Sequence, residues 1–313
     1  MLIQNVVVVG GGVLGSQIAY QCAYAGFHVI TYLRSEASVE RAKPKVQRLH
    51  GIYHTELEAA KNGARPVSRG LVLNQDPEQA DYDALLKRAD EAFTGFHYET
   101  ELAAAVADAD LVIEALAEQP EAKRAFFAQL QPLLPEKTIL VTNSSTLLPS
   151  MLADATGRPE KFLSLHFANN IWAQNIAEVM GHSGTASEAY EAVAAFAAEM
   201  GMIPMRLHKE KAGYILNSML VPFLMSAQEL LADGIADVET IDKTWMLSTG
   251  APMGPFRILD IVGITTAYNI IANYPDAGDP TSLHGKLAKM LKEVYLDKGK
   301  TGVNAGEGFY KYR

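Results

Sequence analysis

The sequence predicts an α/β fold: a doubly wound, mostly parallel sheet with a helical insert, followed by an all-α C-terminal domain. Three observations predict it. Apolar, β-branched runs alternate with helix-period segments through the first two thirds of the chain. A glycine cluster separates the first run from the first helical segment. After about His208 the strand-like runs give way to helical apolar faces. The length of 313 residues, with 49% apolar and 20% charged residues, supports two domains and excludes a mainly disordered chain.

The first strand is expected over Ile3 to Val9, bounded by Gly10, Gly11 and Gly12. Val13 to Ala25 has helical spacing, with Gly26 as its stop, and Phe27 to Leu33 reads as a second strand. A polar, charged segment from about Ser35 to Thr94 reads as an inserted pair of helices, and a strand near Phe96 to Glu99 follows. Further strands are expected over Leu111–Ala115, Thr138–Thr142, Phe162–Phe167 and Ile176–Met180. Helical stretches alternate with them near Leu102–Ala107, Ala122–Leu130 and Ser187–Met200. Continuously apolar strands alternating with helices indicate a parallel sheet covered on both faces. From Ile215 to Leu231 an apolar face continues at helical spacing, interrupted by Pro222, where a kink is expected. The domains are thus read as 1–208 and 209–313, and the plentiful apolar faces of the second favour self-association.

Lysine and arginine number 27 against 36 aspartates and glutamates, a net charge of −9. An acidic chain without a basic stripe is a poor nucleic-acid binder. No uncharged apolar run approaches the ~18–20 residues that span a bilayer, and the N-terminus lacks the pattern of a signal peptide. The single cysteine, Cys22, forms no internal disulfide, which agrees with a reducing, cytoplasmic setting. One stretch departs from the global charge: Arg34 to Gly70 holds eight cations and four acids, hence +4. Its place beside the glycine cluster favours phosphate handling over a plain solvated face.

Gly10-Gly11-Gly12-Val13-Leu14-Gly15 fits the G-x-G-x-x-G fingerprint between a strand and a helix, the context in which it marks a Rossmann-type dinucleotide site. Gly10 allows a tight turn, Gly12 close approach of backbone to a pyrophosphate, and Gly15 close packing of helix on strand. The anion would sit on the unpaired N–H groups that open the helix at Val13 and Leu14. At the end of the second strand, where NAD enzymes usually carry an acid, stand Tyr32-Leu33-Arg34-Ser35. Arg34 and Ser35 would attract a 2′-phosphate, so among NAD(P) cofactors NADP is favoured over NAD. The other reading makes Arg34 a solvated loop cation, with NAD bound without the acid.

His166 is expected at a strand end and Glu178 in the next strand, twelve positions on. If those strands are neighbours, the carboxylate fixes the tautomer of the imidazole and stabilises its protonated form, as proton exchange with an alcohol or carbonyl requires. The plain structural reading is a strand-end histidine bonded to backbone. Thr142-Asn143-Ser144-Ser145 follows an apolar strand at the sheet edge where ligands bind; the alternative for its serines is a helix N-cap. Asn217 is an amide in an apolar helix, suited to orienting a carbonyl or else buried and satisfied by its neighbours. No metal site is expected. His50 and His54 are four apart, but Gly51 stands where a zinc-protease helix needs glutamate, and no third ligand is evident.

Taken together these segments resemble the 3-hydroxyacyl-CoA dehydrogenase family over almost the whole chain. The signals are the Gly10–Gly15 fingerprint, Asp110 to Ala115 before Glu118, Thr142 to Ser145, Leu165-His166-Phe167, Ala177-Glu178-Val179 and Gly213 to Asn217. Gly250 to Phe256, Asp260, Gly263 and Gly306 to Tyr310 complete them. The resemblance implies a hydride-transferring oxidoreductase of 3-hydroxy or 3-oxo substrates, such as 3-hydroxybutyryl-CoA. It makes His166 and Glu178 the catalytic pair, with Ser145 and Asn217 on the substrate. It also puts Glu114 near the nicotinamide ribose and Asn143 in the cofactor site, the insert on coenzyme A, and the helical domain at a homodimer contact. Two departures stand out: Ala168-Asn169-Asn170 replaces Phe-Asn-Pro, and Trp172 replaces a second proline. These, with Gly234 to Asp237, look closer to a bacterial diketoreductase-like branch, which acts without coenzyme A. A CoA-independent diketoreductase, or a dehydrogenase of hydroxy acids or sugar acids, is therefore the alternative substrate reading. A cofactor-binding sensor or structural protein would show a broken catalytic set; all four positions here carry competent residues.

Overall fold

The computed structural model describes residues 2–312. The chain forms two compact units that part between Ile215 and Leu216. The boundary lies later than the 208/209 read from sequence. The reason is that residues 209–215 are bonded into the first unit: Gly213 N donates to Ser145 O, the Tyr214 hydroxyl to Ser144 O, and Ile215 N to Glu178 Oε1.

The first unit runs β1 (Asn5–Val9), α1 (Val13–Ala25), β2 (His28–Tyr32), α2 (Glu36–Lys61), α3 (Tyr82–Thr94), β3 (His97–Glu99) and α4 (Leu102–Val106). It continues β4 (Leu111–Glu114), α5 (Pro120–Leu130), β5 (Ile139–Thr142), β6 (Phe162–Phe167), β7 (Ile176–Met180), α6 (Ser187–Glu199) and β8 (Ile203–Leu207). These eight strands make one sheet in the order β3-β2-β1-β4-β5-β6-β7-β8. The order reverses at β1, where the chain crosses from β3 to β4, and ligands of open α/β sheets bind at such a switch point.

Local chemistry accounts for the elements. Strands β4, β5 and β6 are buried along their whole length, as their unbroken apolar runs require. Helix α1 stops at Gly26, whose φ of +99° is the left-handed conformation that glycine adopts freely. The insert is the expected helix pair. Asp81 caps α3 by accepting from Ala84 N, and the pair buries Leu49, Tyr53, Leu57, Leu85 and Leu86 against Tyr20 and Tyr24 of α1.

Two features differ from the sequence reading. Strand β7 is antiparallel to β6, which places His166 directly opposite Glu178. Strand β8 was not anticipated, because Pro204 and Arg206 break its apolar run. It lies at the sheet edge, where a residue without an N–H is tolerated.

The second unit comprises α7 (Leu216–Ala232), α8 (Val238–Thr249), α9 (Pro255–Val262), α10 (Ile264–Ala272) and α11 (Leu283–Met290). Helix α7 continues through Pro222. Phe256, Leu259, Ile264, Leu287 and Leu291 form the core. The C-terminal motif is structural here: buried Asp260 accepts from Phe309 N, Tyr310 N and the Tyr312 hydroxyl.

Candidate active site

The glycine fingerprint forms the turn from β1 into α1. Gly10 has φ +116°, and a Cβ there would stand 2.7 Å from Ala115 O. A Cβ on Gly15 would stand 2.3 Å from Gly10 O. Gly11, an unspecified position of the motif, proves equally constrained: its Cβ would meet side chains of Leu33 and Ala42 at 2.9 Å. Gly12 is the exception, with nothing within 4 Å of its Cβ position. Ser16 N closes the first helical bond, on Gly12 O, so the N–H groups of the first turn remain for a ligand. Val13 is exposed and Leu14 half-buried on the same turn. Gly10 and Gly15 are therefore required by the backbone of the turn, Gly11 by the side chains of Leu33 and Ala42, and Gly12 leaves its outer side open, which fits the pyrophosphate of a dinucleotide.

At the end of β2, Ser35 opens α2. Its hydroxyl meets that of Ser38 at 3.0 Å, and Arg41 Nη2 donates to Ser38 Oγ at 2.8 Å. Arg34 is exposed beside them.

The second cluster stands at the ends of β5, β6 and β7. Burial of the strand leaves His166 5% exposed, with Glu178 across the ladder at 2%. His166 Nδ1 is 3.0 Å from Glu178 Oε2, and His166 Nε2 is 3.1 Å from Ser145 Oγ. A carboxylate accepts, so Nδ1 carries the ring hydrogen and Nε2 keeps its lone pair toward Ser145. Tyr214 stacks on the imidazole, with ring centroids 4.3 Å apart and planes 10° apart. Its φ of +51° turns the chain so that Ile215 N reaches Glu178 Oε1 at 2.8 Å. The result is a held Ser–His–Glu chain able to pass a proton at Nε2 and to stabilise the charge it leaves.

The other expected site residues divide. Asn143 lies after β5, but its Oδ1 accepts from Phe167 N and so ties β5 to β6. Asn217 is half-buried in the first turn of α7. Glu114, expected near the nicotinamide ribose, has its carboxylate bonded within the protein. It is fully buried: Oε1 accepts from Lys123 Nζ and Leu116 N, and Oε2 from Lys123 Nζ and the Thr142 hydroxyl. Three donor groups make four contacts with it, so the carboxylate is engaged within the protein.

Sequence reasoning missed Lys123 and gave Glu118 no role. Glu118 Oε1 accepts from Ser144 Oγ at 2.5 Å and from the Thr146 N–H and hydroxyl at 2.8 Å each, which shapes the loop carrying Ser145. Burial raises its pKa, but these bonds and the Lys123 charge outweigh burial and hold it below the ordinary value. The Ser144 hydroxyl also accepts from Leu147 N within the loop; no helix starts there, so this is a turn bond and not a helix N-cap. Trp172 explains one departure from the family pattern. Its Nε1 donates to Glu56 Oε1 of α2 and its carbonyl accepts from Gly70 N, so the loop after β6 is anchored on the insert.

Comparison with known proteins agrees with this layout. Residues 5–211 match the family model of the 3-hydroxyacyl-CoA dehydrogenase NAD binding domain, and residues 213–312 that of its C-terminal domain. The mitochondrial hydroxyacyl-coenzyme A dehydrogenase of Homo sapiens is 31% identical over 317 positions, covering 100% of this chain and 92% of that protein. A diketoreductase whose structure was described for substrate-directed dual catalysis of dicarbonyl compounds is 49% identical, with TM-score 0.86 and full coverage of both chains. The (S)-3-hydroxybutyryl-CoA dehydrogenase of Ralstonia eutropha is 25% identical, with TM-score 0.75 and 99% coverage of both. No helix among the described residues is long and apolar enough to cross a membrane.

Proposed function

The chain belongs to the 3-hydroxyacyl-CoA dehydrogenase family of NAD(P)-dependent oxidoreductases, and on that premise we propose that it interconverts 3-hydroxy and 3-oxo groups with His166 as the general acid–base. The observation that carries the reading is the hydrogen-bonded chain from Ser145 through His166 to Glu178. In oxidation, His166 Nε2 takes the hydroxyl proton; in reduction it returns that proton to the carbonyl oxygen. Such proton transfer is worth about 10²–10⁴ in rate. Glu178 holds the ring hydrogen at Nδ1 and stabilises the imidazolium. Ser145 positions the reacting oxygen beside Nε2, and Asn217 orients the adjacent carbonyl. A nicotinamide cofactor, when bound, would supply the hydride donor or acceptor, and the first turn of α1, from Gly12 to Leu14, would hold its pyrophosphate. The Arg34, Ser35, Ser38 and Arg41 group, with no carboxylate at the end of β2, favours NADP over NAD.

The 3-hydroxyacyl-CoA thioester is the first substrate reading. A CoA-independent diketo substrate is the second, favoured by the 49% identity to a diketoreductase and by the Ala168 and Trp172 departures in the loop after β6. Exposed Met219, Ile235, Leu247 and Ile261 in the helical unit support a homodimer. The buried free thiol of Cys22 suits a reducing, cytoplasmic setting.

The test is a panel of acetoacetyl-CoA and a CoA-free 3-oxo ester, each with NADPH and NADH. Preference for the thioester and for NADPH is expected; preference for the ester selects the second substrate reading, and preference for NADH removes the cofactor assignment. In the same assay His166→Ala should lower kcat by about 10³-fold while cofactor affinity stays unchanged. Equal loss of both in a folded variant would overturn the acid–base role.

A further inference from the structure

Two histidines and a carboxylate converge in the insert, apart from the relay. His50 and His54 stand one turn apart on α2, and Asp90 faces them from α3. His54 Nε2 is 2.9 Å from Asp90 Oδ1, and His50 Nε2 is 3.6 Å from the same oxygen. All three candidate donor atoms lie within 4.8 Å of one another. Tetrahedral bonds of about 2.0–2.1 Å set ligand atoms roughly 3.3 Å apart. The observed separations bracket that value, so side-chain adjustments alone would admit an ion.

The surroundings orient the donors. The Tyr20 hydroxyl donates its one hydrogen to Ala89 O at 3.0 Å. Its oxygen lies 3.1 Å from His50 Nδ1 and must therefore accept. His50 is then the Nδ1–H tautomer, and the Nε2 lone pair points toward Asp90. A ring nitrogen fixed from behind by a hydrogen bond is the usual support of a metal-binding histidine. Phe93 stacks on His50 with centroids 4.5 Å apart, and the edge-on ring of His54 lies at 4.7 Å, so both imidazoles are held.

We propose that His50, His54 and Asp90 form a divalent transition-metal site of the zinc class, joining α2 to α3. Two imidazoles and a carboxylate suit zinc, with nickel and copper as chemical relatives, and water would complete the tetrahedron. The bound ion would cross-link the two helices where the His54–Asp90 hydrogen bond now joins them.

The test is zinc titration of the metal-free full chain, competed against a chromophoric chelator. Wild type should bind one equivalent. His54→Ala and Asp90→Asn, both at partly exposed positions, should each weaken binding by about tenfold or more. His284→Ala, which alters an unrelated His–Asp pair in the helical unit, should leave it unchanged. Saturating zinc should raise the Tm of wild type by on the order of 5 °C and that of His54→Ala much less. Wild-type binding no tighter than that of the two insert variants, or binding lost in His284→Ala instead, would overturn the assignment.

Discussion

Two buried glutamates of the same sheet are held in opposite ways. Glu114 closes β4 and Glu178 lies within β7, and each is almost fully removed from solvent. Glu114 meets Lys123 at 2.6 Å, a side chain that only donates, and also accepts from backbone and a threonine. Glu178 meets His166 at 3.0 Å, an imidazole, the side-chain type that can both donate and accept a proton. Burial and residue type are the same, so the partner sets what each can do: beside lysine the carboxylate is tied to a donor alone, and beside histidine it stands where the proposed proton transfer would need it.

Breaking the lysine side should give the largest effect. Lys123→Met leaves the Glu114 charge buried without its cation and should cost about 3–5 kcal/mol of folding stability, read from the denaturant midpoint. Its kcat per folded molecule should suffer far less than its stability. Breaking the histidine side should invert that pattern. Glu178→Gln should lower kcat by about 10–100-fold and alter the pH profile of kcat, with a smaller loss of stability. An unchanged profile would remove Glu178 from the proton-transfer chain. The smallest effect is expected at Glu118, which supports the loop between the two sites. A carboxyl held below its ordinary pKa contributes stability that is complete above about pH 4.3 and is lost as pH falls through its folded value. Glu118→Gln should therefore be less stable than wild type near neutrality, and the gap should close on acidification; a constant gap between about pH 3 and 7 would show that ionisation is not involved.

The division between what the sequence disclosed and what it concealed has a physical basis. The fingerprint was legible because Gly10 to Gly15 are contiguous and sit at a change of periodicity. His166 and Glu178 were legible as candidates because they flank one loop, although their meeting depended on an antiparallel register that composition does not reveal. The bonding of Glu114 was hidden because its lysine partner lies on a different element, α5. Asp90 was invisible as a partner of His50 and His54 for the same reason: helical spacing reports neighbours within a helix, and the third group comes from the facing one. Strand β8 failed the periodicity test because an edge strand need not be apolar on both faces.

That edge has a consequence of its own. An open sheet ends in rows of unpaired backbone groups that can template pairing with another chain. Here one margin is the three-residue strand β3, and the other is β8, in which Pro204 presents no N–H and Arg206 adds a charge. Both margins are poor templates, so the fold carries built-in protection against edge-to-edge aggregation during synthesis and refolding. Filling position 204 with a β-branched residue would lengthen the usable margin and remove part of that protection.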